Sequence, residues 1–565
     1  MKRFAFALWV LSLAACARPV APEGGPKDTT PPKVVPEKST PNLSTRFEDR
    51  EVRLVFDEWV LLQDAANQVL VSPPMLKRPE VTLKGKTVLV RFPKEEILRT
   101  NTTYTINFGT AVKDLHESNP AKDLRFVFST GDYIDSFSVA GIAVDAFTGQ
   151  PVENIAVMLY DKMEDSIVRK ERPYYLARTD KSGQFAIPNV RAGAFRCVAV
   201  EDVNLNLKWD GEVERIGFPD SLVRVGDTAS ARLALRIFKP TPAFRLLTQN
   251  ANRYGLIKLG FSASPDTVGL QPDLPGLNWR SEREQDTLLV WYDRPDSTAW
   301  HLLVGGKDTV KVKALARGDF IAKNRMTLAD EYQPPSPAAR QRNRQPAPAP
   351  EQQQASPSRP PKLVNVNPAK PVLLPFNNPV TKVDTTLWLL SFDTLPVRDF
   401  SVTPDTASPR RLRVQLAWQE GKSYSLTLLP GAATDLFGVA NADTLRRTFI
   451  VSTEKQLGGL NLTLQALQPG MPYVLRLMNG ENTEEERFFT AIEPEKRFVF
   501  AKLQPVAYSV QLIEDRNGNR RWDPGDYFAH RQPEIVFIKK LEALRSNWEV
   551  EATVEARIDS GKRGK

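Results

Sequence analysis

Cysteine and histidine are scarce: the 565-residue chain has two cysteines and three histidines. That excludes a framework of internal disulfides and leaves too few ligands for a His/Cys metal cluster. The signatures G-x-S-x-G, H-E-x-x-H, the P-loop and C-x-x-C are missing, so the familiar nucleophile, zinc and phosphate chemistries have no carrier here. His116, His301 and His530 lie far apart along the chain and read as loop or surface residues. The acidic pair Asp57-Glu58 reads as turn and surface chemistry, because neighbours on a strand face opposite ways. No apolar run beyond the first residues approaches the length of about 18 that marks a membrane-crossing helix. The expectation is a chain that is not an enzyme.

Proline is plentiful, 45 of 565 residues, well above the usual ~5%, which disfavours long helices. Hydrophobic residues make up 41% and charged residues 25%, a globular balance. The formal charge is +9, but much of the excess sits in residues 331–370. That segment has Arg340, Arg342, Arg344, Arg359, Lys362 and Lys370 against Glu331 and Glu351. The remainder is nearly neutral, so nucleic acid is not an expected partner.

The chain starts MKRFAFALWVLSLAAC. Lys2 and Arg3 precede an apolar core, Phe4 to Leu13, which at about 1.5 Å per residue spans roughly half of a ~30 Å hydrocarbon slab. Residues 1–15 therefore read as a secretory leader. Leu13-Ala14-Ala15-Cys16 resembles a lipobox, which implies lipid on Cys16 and a membrane partner through that anchor. Residue 17 is Ala, not Asp, which by the same resemblance favours the outer membrane. Cys197 is then the only free thiol, expected as a small buried hydrophobe.

Residues 16–41, rich in Pro, Gly and Lys, read as a flexible tether, and residues 331–370, with ten prolines among Gln, Ala and Ser, as a linker. Elsewhere the hydrophobic period is two. Val88, Val90 and Phe92 form one face, as do Tyr104, Ile106 and Phe108; Leu412, Val414, Leu416 and Trp418; and Tyr424, Leu426 and Leu428. These are half-buried antiparallel strands, so the fold class is all-β. The chain also repeats. Phe185, Val190, Phe195, Asp202, Asn204, Asn206, Trp209 and Asp210 match Phe498, Leu503, Tyr508, Asp515, Asn517, Asn519, Trp522 and Asp523, each 313 residues later. A looser echo pairs residues 101–115 and 128–130 with 423–436 and 451–453. The expected organisation is a duplicated pair of sandwiches, A then B. A1 spans 42–131, B1 132–235, A2 371–453 and B2 454–565. A divergent β module, 236–330, and the Pro/Gln/Arg-rich linker, 331–370, separate the pairs, and the whole is expected as beads on a string.

The runs PPKVVPEKSTPN, VRLVFDEWV, TTYTINFGTAVKD and FVFSTG, over about 32–131, resemble the bacterial Ig-like domain of the S-layer type. VAGIAVDAFTGQPVENIAVMLYD and TDKSGQFAIPNVRAGAFRCVAV are similar to prealbumin-like, carboxypeptidase-regulatory-type sandwiches, with Gly149 and Gly183 suited to hairpin turns and Gly193 opening the next strand. EDRNGNRRWDPGDY, RQPEIV and LRSNWE resemble the end of exported Bacteroidota lipoproteins. That resemblance implies fold and place; it implies no activity.

Asp515, Asn517, Asn519, Arg521 (through its carbonyl), Asp523 and Asp526 place oxygens at EF-hand-like spacing. Calcium, which takes six to eight hard oxygen ligands, is the one cofactor expected, and none is required. Arg520 stands where a glycine is usual and two arginines lower the negative charge, so affinity should be modest. The first copy keeps Asp202, Asn204, Asn206 and Asp210 but has Val213 at position 12, so Glu212 or Glu214 would have to substitute. The competing reading is a pair of Asx-rich hairpins that cap their own backbone. The function expected is a lipid-anchored outer-membrane scaffold that binds an envelope protein such as an outer-membrane barrel. The alternative is a surface adhesin or glycan binder with Trp279, Trp291 and Trp300 as stacking platforms.

Overall fold

A computed structural model describes residues 28–226, 231–266, 268–294, 298–329 and 363–557. The leader, Cys16 and nearly all of the Pro/Gln/Arg-rich run lie outside the described residues. Among the described residues almost every regular element is a strand, and the longest helix is Arg317–Lys323. Among the described residues no helix is long and apolar enough to cross a membrane. The chain forms two compact units, Met1–Pro240 with Gly525–Pro533, and Thr241–Pro524 with Glu534–Lys565.

In the first unit, A1 stacks the sheet Glu51–Val55, Thr87–Arg91, Glu80–Lys84 on the sheet Leu70–Ser72, Thr103–Asn107, Arg125–Ser129. Val52 lies opposite Val90 and Leu54 opposite Val88, so the period-two face becomes a core with Tyr104, Ile106, Phe108, Phe126 and Phe128. In B1 the strand order is Gln184–Val190, Phe137–Asp145, Ala231–Ile237 in one sheet, the last strand running parallel to its neighbour. The other sheet is built on Ala156–Tyr160 and Gly193–Val200. Gly183 closes a turn at φ +72, where an added Cβ would also crowd the Ala143 carbonyl, so both conformation and space call for glycine.

The second unit repeats these neighbour orders. A2 has Val372–Pro375, Arg411–Gln415, Ser401–Pro404 in one sheet, and Leu445–Val451, Ser423–Leu428, Trp388–Phe392 within the other. B2 has Lys496–Leu503, Gly458–Gln465, Glu549–Glu555, again with its last strand parallel to the second. The two copies therefore share a topology as well as a residue pattern, and the tandem β-sandwich class stands. The middle module is a four-stranded sheet, Leu246–Arg253, Leu256–Phe261, Thr287–Asp293, Asn278–Glu284, packed on a three-stranded one.

Three expectations change. Residues 28–41, assigned to the tether, belong to A1: Val34 bridges Phe56, and Val35 N–H donates to the Val55 carbonyl (2.7 Å). Short edge pairings and a 3-10 turn at Pro36–Lys38 tolerate proline, which is why the composition resembled a spacer. Likewise A2 starts before the run read as a linker. Met326 and Leu328 lie in its core, Leu328 bridges Phe376, and Leu363–Val366 runs parallel to Leu445–Val451. The Pro/Gln/Arg-rich run is thus an insertion inside one domain, where A1 has only the loop between Val34 and Ser44, which bridges Phe128. Finally, the modules of each unit are packed and are not beads. Arg172 donates to the Met75 and Leu76 carbonyls (both 2.9 Å) between A1 and B1. Arg410 pairs with Glu282 and Glu284 (both 2.5 Å) between A2 and the middle module.

Candidate functional site

The Asx-rich loops follow the central strands Gly193–Val200 of B1 and Ser509–Glu514 of B2. In B2, Asp515 is buried and its two oxygens accept from the N–H groups of Asn519 (3.0 Å) and Arg520 (2.9 Å). Asn517 Oδ1 accepts from Asn519 N–H, and Asn519 Oδ1 from Arg521 N–H (both 3.0 Å). Both amide groups then donate through Nδ2 to Asp523 Oδ2, at 2.5 and 2.6 Å. The loop is an Asx-turn ladder in which side chains replace missing backbone partners.

Asp526 is not part of this ring. Its Oδ1 accepts from Ala529 N–H (3.0 Å), and its backbone pairs with Arg531. The residue that closes the ring is Glu534, which accepts from Arg516 N–H (2.8 Å) and Asp523 N–H (3.0 Å), while its carbonyl takes the Trp522 indole N–H (3.0 Å). The first copy does the same. Glu214 accepts from Val203 N–H (3.2 Å) and Asp210 N–H (2.9 Å), and its carbonyl accepts from Trp209 Nε1 (3.3 Å). There Asn204 and Asn206 donate to Asp210 Oδ2 (2.5 and 2.9 Å), and Asp202 accepts from Asn206 and Leu207. Of the two candidates in that copy, Glu214 is the one that joins the ring. In B2 the hairpin around Asp526–Arg531 lies before the glutamate, so fixed spacing selects Asp526 while the loop's hydrogen bonds run to Glu534. The tryptophan followed by a glutamate in both copies was the signal that marks Glu534.

Burial raises both carboxylates above the ordinary glutamate value. The neighbouring Asp523 and Asp515 add to this at Glu534, and Asp210 and Asp202 at Glu214, against the N–H groups they accept. The oxygens are hard donors of the type calcium takes. Yet each asparagine turns its N–H side to Asp523 or Asp210 and already spends its oxygen on a backbone N–H. A cation would need those amides turned over at the cost of these bonds. Among the described residues no group of three or more His, Cys, Asp or Glu side chains is gathered so as to hold a metal. The Arg521 guanidinium pairs with Asp266 and also lies 3.9 Å from Asp523, so part of its charge is set against the ring.

The other singled-out residues fall as follows. Cys197 is buried on its strand and burial pushes its thiol up to about 12, so it is inert as a nucleophile. Trp291 and Trp300 are core residues of the middle module and Trp279 is half-buried against it, so these three offer no open stacking platform. His301 Nδ1 faces Asp273 (3.0 Å), His530 Nε2 faces Asp165 (3.0 Å), and His116 is exposed on A1.

No curated protein sequence matches the chain. Among solved structures, the Bacillus anthracis TIE protein aligns over 98% of this chain and 79% of its own at 9% identity, TM-score 0.14. The major pilin subunit BcpA of Bacillus cereus aligns over 74% of this chain and 99% of its own at 9% identity, TM-score 0.12. The Bacteroides ovatus SGBP-B, solved with a mixed-linkage heptasaccharide, aligns over 66% and 88% at 10% identity, TM-score 0.15. Superposition at this level carries no functional argument. One family does match by sequence: residues 28–130, which are A1 with the Pro-rich segment that opens it, match the bacterial Ig-like domain.

Proposed function

We propose that this chain is a non-catalytic scaffold of the cell envelope, anchored to the outer membrane by lipid on Cys16, whose packed sandwiches present binding faces to an envelope protein. The observation that carries this reading is the shared core of the second unit. Leu436 and Phe437 of A2 sit in one hydrophobic cluster with Tyr254, Leu256 and Trp291 of the middle module. Such apolar fusion fixes the relative orientation of two modules, which a spacer of independent beads would not need. Calcium binding by the Asp515 loop, with Glu534 in place of Asp526, is a subsidiary proposal. It predicts weak affinity, because the ring is already satisfied by hydrogen bonds.

Metabolic labelling with a radioactive fatty acid tests the anchor. The full-length chain is expected to take the label and partition with membranes, and Cys16→Ala to lose both. Equal labelling of the two, or release of the wild-type mature chain into the aqueous fraction, overturns it. Calorimetry of the full chain with millimolar calcium tests the loop; heat equal to buffer dilution removes it.

A further inference from the structure

A1 and A2 make matching pairings and hydrogen bonds at one end, and that end is covered in A2 and bare in A1. Val60 pairs with Asp114 as Val380 pairs with Asp435. Leu115 N–H donates to the Trp59 carbonyl (3.1 Å) as Leu436 N–H donates to the Pro379 carbonyl (2.8 Å). Lys33 N–H donates to Asp57 Oδ1 (2.9 Å) as Thr327 N–H donates to Asn377 Oδ1 (3.0 Å). The equivalences are therefore Trp59 with Pro379, Leu115 with Leu436, His116 with Phe437, and Asp57-Glu58 with Asn377-Asn378.

In A2 this end is an interface within the second unit. Asn378 and Pro379 are buried, and Leu436 and Phe437 are 3% and 2% exposed. The Phe437 ring lies 4.8 Å from Phe320 and 6.3 Å from Tyr254, and its carbonyl accepts from Arg317 (2.8 Å). What covers the face is thus an apolar surface with one guanidinium. In A1 the same positions are open: Trp59 is 56% and Leu115 48% exposed, and His116 is exposed. Trp59 is held from beneath by the turn at Gly85, whose Cβ position is 3.4 Å from the indole. The amides of the covered copy are carboxylates here. Glu58 feels Asp57, Asp114, Asp28 and Glu117 around it, and Lys86 Nζ donates to the Asp57 carbonyl (2.6 Å).

We propose that the Trp59–Leu115 face of A1 docks a protein partner that presents an apolar side chain beside arginine or lysine. The argument is continuity with the covered copy together with charge. An exposed apolar pair at the end that the other copy buries marks a contact surface, and carboxylates in place of Asn377 and Asn378 select a partner that brings cations. This rests on the partner-binding reading above and gives the partner's chemistry.

The test places a photo-cross-linking phenylalanine at Trp59 or Leu115 of the full-length chain in the cells that make it, with Ile492 and Trp548, exposed residues of the second unit, as reference positions. Adducts are identified by mass spectrometry. The expected result is one protein adduct at both A1 positions, its cross-linked peptide carrying Arg or Lys next to an apolar residue. Glu58→Lys and Glu117→Lys, each made separately, should lower its yield by about fivefold or more, since a like charge at a docking face costs encounter and affinity. An adduct to residues 17–27, to a second copy or to lipid overturns the proposal, as does a yield indifferent to both reversals. Adducts only at the reference positions overturn this face and leave the scaffold reading standing. No protein adduct at any of the four positions removes both.

Discussion

A1 and A2 carry one topology in two environments, and the difference shows what the environment contributes. Their equivalent aspartates are the clearest case. Burial works to raise Asp114, but the N–H groups of Asn119, Glu117 and Ser118 outweigh it and hold its carboxyl below the ordinary value. Asp435 makes the same kind of turn contacts, with Phe437 and Val439 N–H. It is covered by the middle module and bound to Asn324 and Asn378 (both 2.8 Å), and there burial wins and its carboxyl is raised. The same residue in the same register is tuned in opposite directions by whether a neighbouring module excludes water.

The largest expected contrast is at the position after the apolar contact. Phe437→Ala empties a buried site and should cost about 3–5 kcal/mol in urea unfolding of the second unit. His116→Ala, its exposed equivalent, should stay within about 0.5 kcal/mol. Equal losses would mean that the covered face contributes nothing beyond the turn. Gly255→Ala is expected next. Its φ is +80 and an added Cβ would run into the Phe437 ring, so overpacking should cost about 1–3 kcal/mol. Gly149→Ala has a similar φ, +69, but open space around it; thermal melting that ranks it equal to Gly255→Ala would show that backbone strain alone decides.

A smaller contrast separates the true ring acid from the one that spacing suggested. Glu534→Ala takes the acceptor from two part-buried backbone N–H groups, those of Arg516 and Asp523, a loss of about 1 kcal/mol by denaturant titration. Asp526→Ala should change stability by about 0.5 kcal/mol or less, and a reversed order would restore Asp526 to the ring. The smallest effect is in pH. Asp114, depressed in the folded state, contributes stability that is present above the ordinary value of 3.8 and lost as pH falls through its folded value. Asp435, raised in the folded state, binds its proton more tightly when folded, so acidification from neutral toward 3.8 should strengthen its surroundings. Hydrogen-exchange protection, corrected for the intrinsic slowing of amide exchange in acid, should therefore rise around 433–441 and hold steady around 112–120 between pH 7 and about 4; the same change in both segments would erase the distinction.

Much of the architecture was legible because period-two burial is a local property. Leu412 and Val414, or Tyr424, Leu426 and Leu428, announce a face wherever they occur, and all five are buried. The duplication was legible for the same reason, since Trp209 and Trp522 hold equivalent hydrogen bonds. The loop chemistry was half legible. Asp515, Asn517, Asn519 and Asp523 form a ring as their spacing suggests, but Glu534 lies beyond an inserted hairpin, and spacing rules fail across insertions. The domain edges at 28–41 and 326–329 were hidden because their single bridges leave almost no hydrophobic period.

Strand periodicity and the repeat were written into the linear order, since each needs only neighbours along the chain or a match between two stretches of it. Which faces are dry was decided in three dimensions. Trp291 and Trp300 became core, Phe437 became an interface and Trp59 stayed in water, because burial depends on what the rest of the chain brings across, and that information is carried by no short stretch of residues.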